Sequence, residues 1–484
     1  MPIASLAAGA APPSKGNGPA LQLTNYTCEC QIIKLVINMI QVSEEIESYL
    51  SIFETLEKHG GRKEPAWLRT IRKAAISRFS ELGFPTTHEE EWRFTNVAPI
   101  TRTPFEPAIQ NGQSLSAGQV HRFASGNWEG SQLVFVNGFF SAELSSLHSL
   151  PKGVLGGSLK EAYENHSGLL EPHLARYATF EKEVFTALNT AFTWDGAFIR
   201  IPKGTVVEKP IHLLFVSSAQ VSKPTVSFPR TLILAEANTQ AQIVESYVGL
   251  GPDVYFTNAV TEIVAGENAF IDHYKLQRES LQAFHIATLQ VQLDRDVNFS
   301  THSISMGGDL VRNHVNAVLN GAGGEATLNG FYLVNGKQHV DNHTCIDHAK
   351  PHCSSHELYK GILDGKGQGV FNGRIIVRPD AQKTDSKQTN KNLLLSEGAL
   401  VNTNPQLEIY ADDVKCTHGA TIGQLDTDSL FYLRTRGIDL DAARHMLTYA
   451  FASDISSRIK IEPIRKELER ILFVRLAEGQ ELQE

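Results

Sequence analysis

The stretch LILAEANTQAQIVES (232–246) reads as an apolar strand, a small polar turn and a second strand. The same plan recurs in EIVAGENAFIDHY (262–274), VLNGAGGEATLNGFYL (318–333), GILDGKGQGVFNGRIIV (361–377) and LLLSEGALVNTNPQLEI (393–409). Aligned on Leu234, Val264, Leu293 and Leu319, the plan returns at steps of thirty or slightly fewer positions. LQVQLD (289–294) alternates cleanly, which is the mark of a half-buried strand. From Ala197 to about Gly423, β-branched segments alternate with Gly, Asn and Asp turns and almost no helical period intervenes. A strand-only repeat of this length points to a β-solenoid, in which each coil buries its apolar face on the next. A sandwich of regular hairpins is the alternative.

Helices are expected on both sides of this β body. Ile46, Tyr49, Leu50 and Phe53 recur at helical spacing before Gly60-Gly61. A second helix follows Pro65, with Trp67, Leu68, Ile71, Ala75, Phe79 and Leu82 on one face. A mixed region runs to about 157, and another helical stretch is expected over 159–192. Beyond 423, Leu430 to Leu433 leads to Gly437, and Asp439 is placed to cap a helix whose apolar face is Met446, Leu447, Tyr449, Ala450 and Ile455. Pro463 breaks that helix, and a last amphipathic one runs to about Leu476. The expected plan is therefore a tail (1–42), a helical and mixed region (43–192), a β core (193–425) and a C-terminal helical region (426–484). Gly419-Ala-Thr-Ile-Gly423 is expected to be the turn that ends the β core.

Composition narrows the function classes. With 484 residues, 42% hydrophobic and 20% charged, the chain has the make-up of a soluble folded protein. Its net charge of −9 and the lack of a Lys/Arg stripe argue against nucleic acid as a partner. The apolar run 32–40 is interrupted by Lys34 and Asn38 and falls short of the roughly 20 residues a membrane span needs. Five cysteines scattered over the chain (Cys28, Cys30, Cys345, Cys353 and Cys416) are no disulfide framework and suit a reducing compartment. Residues 1–22 lack the charged start and apolar centre of a secretory signal. The expected location is the cytoplasm, or the plastid stroma if the N-terminal extension is a transit peptide.

The chemistry concentrates in VKCTHGATIG (414–423). Residues two apart on a strand share a face about 6.6 Å apart, so Cys416 and His418 point the same way as Val414. They could simply line a core, because cysteine is among the most buried residue types. They could be metal ligands, but a zinc site needs three or four donors. They could be a nucleophile and base, for which adjacency alone is insufficient. A second dense segment, DNHTCIDHAKPHCSSHE (341–357), matches no zinc pattern, and Pro351 prevents a helix from aligning His348, His352 and His356. Other motifs fail. His88-Glu-Glu-Glu-Trp92 lacks the second His of a zinc protease, and Gly330 to Lys337 has one residue too many for a phosphate loop. GKGQG (365–369) opens no helix, and Asp412-Asp413, read on a strand, would point to opposite faces and could not cooperate.

The longer string PQLEIYADDVKCTHGATIGQLDTDSLFYLRTRGI (405–438) closely resembles the SufB/SufD family of iron–sulfur cluster assembly proteins. LNTAFTWDGAFIRIPKGTVVEKPIHLLFV (188–216), HVDNHTCIDHAKPHC (339–353), YKGILDGKGQGVFNGRIIVRPDAQKTDSKQTNKNLLLS (359–396) and PTTHEEEWRFT (85–95) carry the same likeness, which spans roughly residues 45–480. The SufB branch typically has a Glu-His-Glu-like segment in this region and a separate persulfide-receiving cysteine, so the CTHGATIG form resembles the other branch. The resemblance implies a right-handed parallel β-helix flanked by helical N-terminal and C-terminal regions. It implies a non-catalytic scaffold subunit that pairs with a SufB-like paralogue, or with itself when alone. A SufC-like ABC ATPase would dock on the C-terminal helices, with no nucleotide bound by this chain. A transient iron–sulfur cluster or iron would sit at the interface with SufB, His418 being the implied ligand and Cys416 its less certain neighbour, completed by the partner chain. A role in iron acquisition is also implied. Two other readings stay open on the residues alone: a β-helix enzyme acting on polysaccharide, and a self-contained zinc-binding protein.

Overall fold

The computed structural model describes residues 44–58, 64–108, 115–121, 123, 128–218 and 223–478. The expected tail with Cys28 and Cys30 lies outside them. The chain divides into two compact units, Met1–Ile52 and Phe53–Glu484. In the first, residues 44–52 are helical.

The body of the second unit is a parallel β-solenoid of about seven turns. Each turn contributes one strand to each of two sheets. The first sheet gains Arg230–Ala235, Tyr255–Ala265, Phe284–Leu293, Leu310–Leu319, His339–His348, Gln368–Val377 and Leu400–Ile409 in that order. The second gains Gln240–Gly249, Phe270–Arg278, Asn298–Ser305, Glu325–Val334, Ser354–Leu363, Asp385–Leu394 and Lys415–Gly423.

The register corrects one step of the repeat alignment. Leu234 pairs with Val264, but Val264 pairs with Gln292, while Leu293 pairs with Ala265 and Leu319. Ala235, Ala265, Leu293, Leu319, His348, Val377 and Ile409 form one interior column, one member from each turn. Leu234 faces the other way, onto Leu68, Leu159 and Leu170 of the N-terminal helices. A slip of one residue in a strand exchanges its two faces, and both faces here are apolar, so the pattern alone could not show the slip.

The corners repeat as strictly as the strands. Asn238, Asn268, Asp296, Gly323, His352 and Lys383 all have φ between 56° and 77° at the turn from the first sheet to the second. At each, the backbone N–H is donated to the carbonyl of a residue in the next turn, as from Asn238 to Glu267 and from His352 to Gln382. Asn, Asp and Gly tolerate this left-handed conformation, which explains the polar residues that punctuate the sequence. His352 is thus a corner residue.

Helices cover parts of both sheets. Ala66–Leu82 buries Leu68, Arg72, Ala75, Ile76 and Phe79. The stretch 159–192 is three short helices, Leu159–Asn165, Ser167–Leu170 and Val184–Ala191, because Pro172 and the 171–183 turns interrupt it. On the second sheet, Ala452, Ile455, Ile464, Leu468 and Ile471 pack over Tyr274, Ile304, Phe331 and Ile362. Asp439 caps Leu440–Ser456 as expected, accepting from the Ala442 N–H at 2.9 Å. The buried face of that helix is Ala443, Thr448, Ala452, Ile455 and Ser456, whereas Met446 is 50% exposed. Small residues let the helix approach the sheet, which leaves its larger apolar side chains outside. Pro463 lies in the first turn of Glu462–Glu478, where its missing N–H has no partner to lose.

Two buried ion pairs fasten the N-terminal region to the first sheet. Arg230 and Glu262 meet at 2.6 Å with both side chains fully buried. Glu262 also accepts from the backbone N–H groups of Ala175, Tyr177 and Ala178. Arg312 pairs with Asp341, lies 3.7 Å under the Trp92 ring, and shares Asp341 with the Thr95 hydroxyl. A buried cation left without its partner typically costs about 3–5 kcal/mol. Glu262→Ala is therefore expected to lower the urea-unfolding free energy by about that amount. Asp413→Asn, which breaks the exposed Lys383 pair, should leave the midpoint nearly unchanged.

Candidate functional site

A parallel coil hydrogen-bonds each turn only to the turns above and below it. At the N-terminal end the ladders close on antiparallel strands: Leu155–Ser158 on Gly196–Ile201, and Phe139–Ser146 on Ser131–Val136. At the other end, Leu400–Ile409 and Lys415–Gly423 are the last strands of their sheets. Each offers an unpaired row of backbone groups along its outer side, among the described residues. Leu400 is 52% exposed, Tyr410 61% and Ile422 47%.

Cys416 and His418 lie on the last of these strands. The strand continues in register through Gly423, with Gly419 opposite Thr389 and Gly423 opposite Leu393. The expected turn at Gly419–Gly423 is therefore ladder. Glycine weakens a strand but does not forbid one, and here the neighbouring turn supplies the pairing. Cys416 is half-buried and, with Val414, packs against the interior core. His418 is exposed. Burial pushes the Cys416 thiol up, the Asp385 carboxylate adds to this, and the Ser386 N–H opposes it. The two side chains thus share the interior-facing row of an edge that no further described strand covers.

The interior rows beneath them are polar. Cys416 follows Ser386 and Ser355 on successive rungs, and His418 follows Gln388 and Glu357. The Ser386 and Ser355 hydroxyls lie 2.7 Å apart, and Ser355 reaches His348 Nε2 at 2.9 Å. Gln388 Nε2 donates to Glu357 Oε2 at 2.7 Å. Burial lowers His348 to about 4 and raises Glu357 to about 7. The sequence did carry a signal for this, since DSKQTNKN (385–392) is a strand polar on both faces.

The segment 341–357 does not converge on one place. His343 and Cys345 face outward on the first sheet, where His343 contacts Glu91 and Asp341, each at 3.1 Å. Burial disfavours the charged His343 ring, but the Asp341 charge and the hydrogen bonds to Asp341 and Glu91 together hold the pKa above its ordinary value. His348 and Cys353 are buried, His352 forms a corner and His356 is exposed on the second sheet. Strand alternation and the corner scatter side chains that are close in sequence. Among the described residues, no three His, Cys, Asp or Glu side chains form a metal-holding group. Asp412 and Asp413 occupy an exposed bend, not a strand. A groove of about 1160 Å³ lies elsewhere, between the solenoid turns and the C-terminal helices; Arg278, Asp309, Asp441 and Arg444 line it, but neither donor does.

Glu357 gives the site a pH signature. Its carboxyl binds a proton more tightly folded, near 7, than unfolded, near 4.5. The stabilisation is complete below about 4.5 and is lost as pH rises to about 7, a change of roughly 3 kcal/mol. Glu357→Gln should flatten this part of the stability–pH curve, as read by urea midpoints between about pH 4.5 and 7.5. An unchanged slope would show that Glu357 is ionised in the folded chain.

Comparison with known proteins agrees with this architecture. Residues 215–451 match the family model described as SUF system FeS cluster assembly, SufBD core domain. Residues 43–213 match that of the SufBD protein N-terminal region. A SufBD-family iron–sulfur cluster assembly protein of Synechocystis is 35% identical over 423 residues, covering 85% of this chain and 92% of the relative. The iron–sulfur cluster assembly protein SufD of Escherichia coli is 32% identical over 399 residues, covering 82% and 90%. The chloroplastic protein ABCI7 of Arabidopsis thaliana is 31% identical over 443 residues, covering 89% of each. No described helix is long and apolar enough to cross a membrane. With its solenoid, its flanking helices and relatives matched over most of their length, the chain belongs to the SufBD family of iron–sulfur cluster assembly proteins.

Proposed function

We propose that this chain is the SufD-like half of a two-chain scaffold, whose partner is a SufB-like paralogue seated on the open end of the solenoid. The observation that carries the reading is that, among the described residues, both sheets end in strands unpaired on their outer side, and Cys416 and His418 lie on one of them. A partner strand added to such an edge satisfies the backbone groups, while side chains decide which partner is accepted. Exposed Leu400, Tyr410 and Ile422 supply apolar contact there.

The nascent cluster, or iron on its way into it, is the cargo of this interface. Imidazole suits iron and thiolate suits iron–sulfur chemistry. Two donors from one chain hold neither alone, so a partner must complete the set. Such a mixed, shared set also binds less tightly than four thiolates from a single chain, which favours delivery. In this reading the chain is non-catalytic, and ATP is hydrolysed by a SufC-like ABC ATPase docked on the C-terminal helices. Phe431, Tyr432, Met446 and Phe473 are each at least half exposed on those helices and form the apolar surface offered to it. Distortion of the open edge by that ATPase would expose and release the cargo.

Co-expression with the two partner subunits and anaerobic reconstitution test the reading. His418→Ala is expected to abolish most of the iron–sulfur absorbance while the complex still co-purifies; full absorbance would remove His418 from the ligand set. Deleting the C-terminal helices would uncover the apolar face of the second sheet, so single surface changes are the better probe of docking. Phe431→Ser or Phe473→Ser should weaken ATPase binding at least tenfold by titration, with the fold intact, since about 1.4 kcal/mol corresponds to tenfold. Unchanged binding by both would move the docking site away from these helices.

A further inference from the structure

We propose that Gln388 and Glu357 are positioning residues for His418, forming a carboxyl–amide–imidazole column that sets which ring nitrogen faces the open edge. This rests on the reading of His418 as a ligand and deepens it.

The column follows from the register. Leu328, Glu357, Gln388 and His418 occupy successive rungs of one interior row of the second sheet. Side chains directly above one another on parallel strands are about 4.8 Å apart, within reach of a hydrogen bond between extended polar groups. Gln388 is fully buried, and Glu357 is 3% exposed. With a Glu357 carboxyl oxygen as the acceptor, Gln388 Nε2 is the amide end that donates, at 2.7 Å. Its carbonyl Oε1 then accepts from no group among the described residues, although it is buried. An unsatisfied buried acceptor is costly, so it selects a donor wherever one can reach it. The next side chain on the row is the His418 imidazole.

A neutral imidazole has one N–H and one lone pair. If the N–H is donated inward to Gln388 Oε1, the lone pair on the other nitrogen faces the partner side of the edge. A ligand histidine is commonly held this way by an acceptor on its second nitrogen. Glutamine suits the task because it donates to the carboxyl on one side and accepts from the ring on the other. A leucine would leave the ring unfixed, and the Glu357 oxygen without its donor.

The test reads the tautomer directly. The full chain is labelled with ¹⁵N-histidine, and the His418 ring signals are identified by their loss in His418→Gln. Exposed His88 and His356 serve as internal references. His418 is expected to populate one tautomer, and Gln388→Met should move its ratio about fivefold toward that of the references, the equivalent of about 1 kcal/mol. Gln388→Glu, which keeps an acceptor beneath the ring, should restore the single tautomer, and Glu357→Gln should preserve it because Gln can still accept from Gln388. Thermal unfolding of each variant confirms that it is folded. A His418 ratio that matches the references in the wild type, or that is unmoved in folded Gln388→Met, overturns the proposal. Cobalt(II) binding, compared between wild type and His418→Ala, reports the ligand role by itself. A tautomer set by Gln388 with no cobalt bound at His418 would sink the ligand reading and spare the column.

Discussion

A parallel coil satisfies its backbone only through the turn before and the turn after, so it necessarily has two ends. In this chain the first end closes on antiparallel strands and on the helices that precede the solenoid. Among the described residues the last end has no such closure, and the strands at Leu400–Ile409 and Lys415–Gly423 finish bare. Long unpaired edges invite association, and natural proteins usually blunt them with charge, proline or a covering element. Pro405 and Lys415 do little to blunt these. An edge left open in this way leaves backbone groups that an added strand could satisfy.

Stacking in register has a second consequence. Every side chain in an interior row lies directly beneath the matching position of the next turn, so a buried polar residue finds its nearest partners on the adjacent rungs. The interior is apolar where Ile243, Ile271, Phe299 and Leu328 line it. It is polar around Glu245, His273 and Thr301 in the early turns and again at the open end, where Ser355, Ser386, Glu357 and Gln388 satisfy one another in part. The donors at 416 and 418 top these polar rows. Their surroundings are therefore a product of the ladder as much as of their own segment.

The outer faces are fastened differently. On the first sheet, buried guanidinium–carboxylate pairs such as Arg230–Glu262 draw in backbone N–H groups from the N-terminal segment. On the second, an apolar seam of isoleucines and leucines holds the C-terminal helices. Ion pairs of this kind contribute specificity of placement more than net stability, because desolvation offsets much of their attraction. Apolar burial is less directional. The contrast fits a fixed N-terminal cover and a C-terminal set of helices that presents its larger apolar residues, Phe431 and Phe473, outward.

The amino-acid sequence by itself favoured a solenoid over a sandwich, since the strand–turn–strand plan recurs at a nearly constant period and the corners carry residues that accept a left-handed backbone. It also put Cys416 and His418 on one face, because residues two apart on a strand share it, but only the family resemblance of the surrounding segment marked them as candidate ligands. It could not place Leu234 and Leu293 on opposite faces, as both faces of a buried parallel strand are apolar. Nor could it show that Gly419–Gly423 is strand, since that depends on the preceding turn offering its backbone. Only the tertiary structure decided that 341–357 scatters its histidines and cysteines over an outer face, the interior and a corner. Only it set Gln388 and Glu357 beneath His418. Local pattern fixes which way a side chain points relative to its own strand, but the register between turns fixes what it meets.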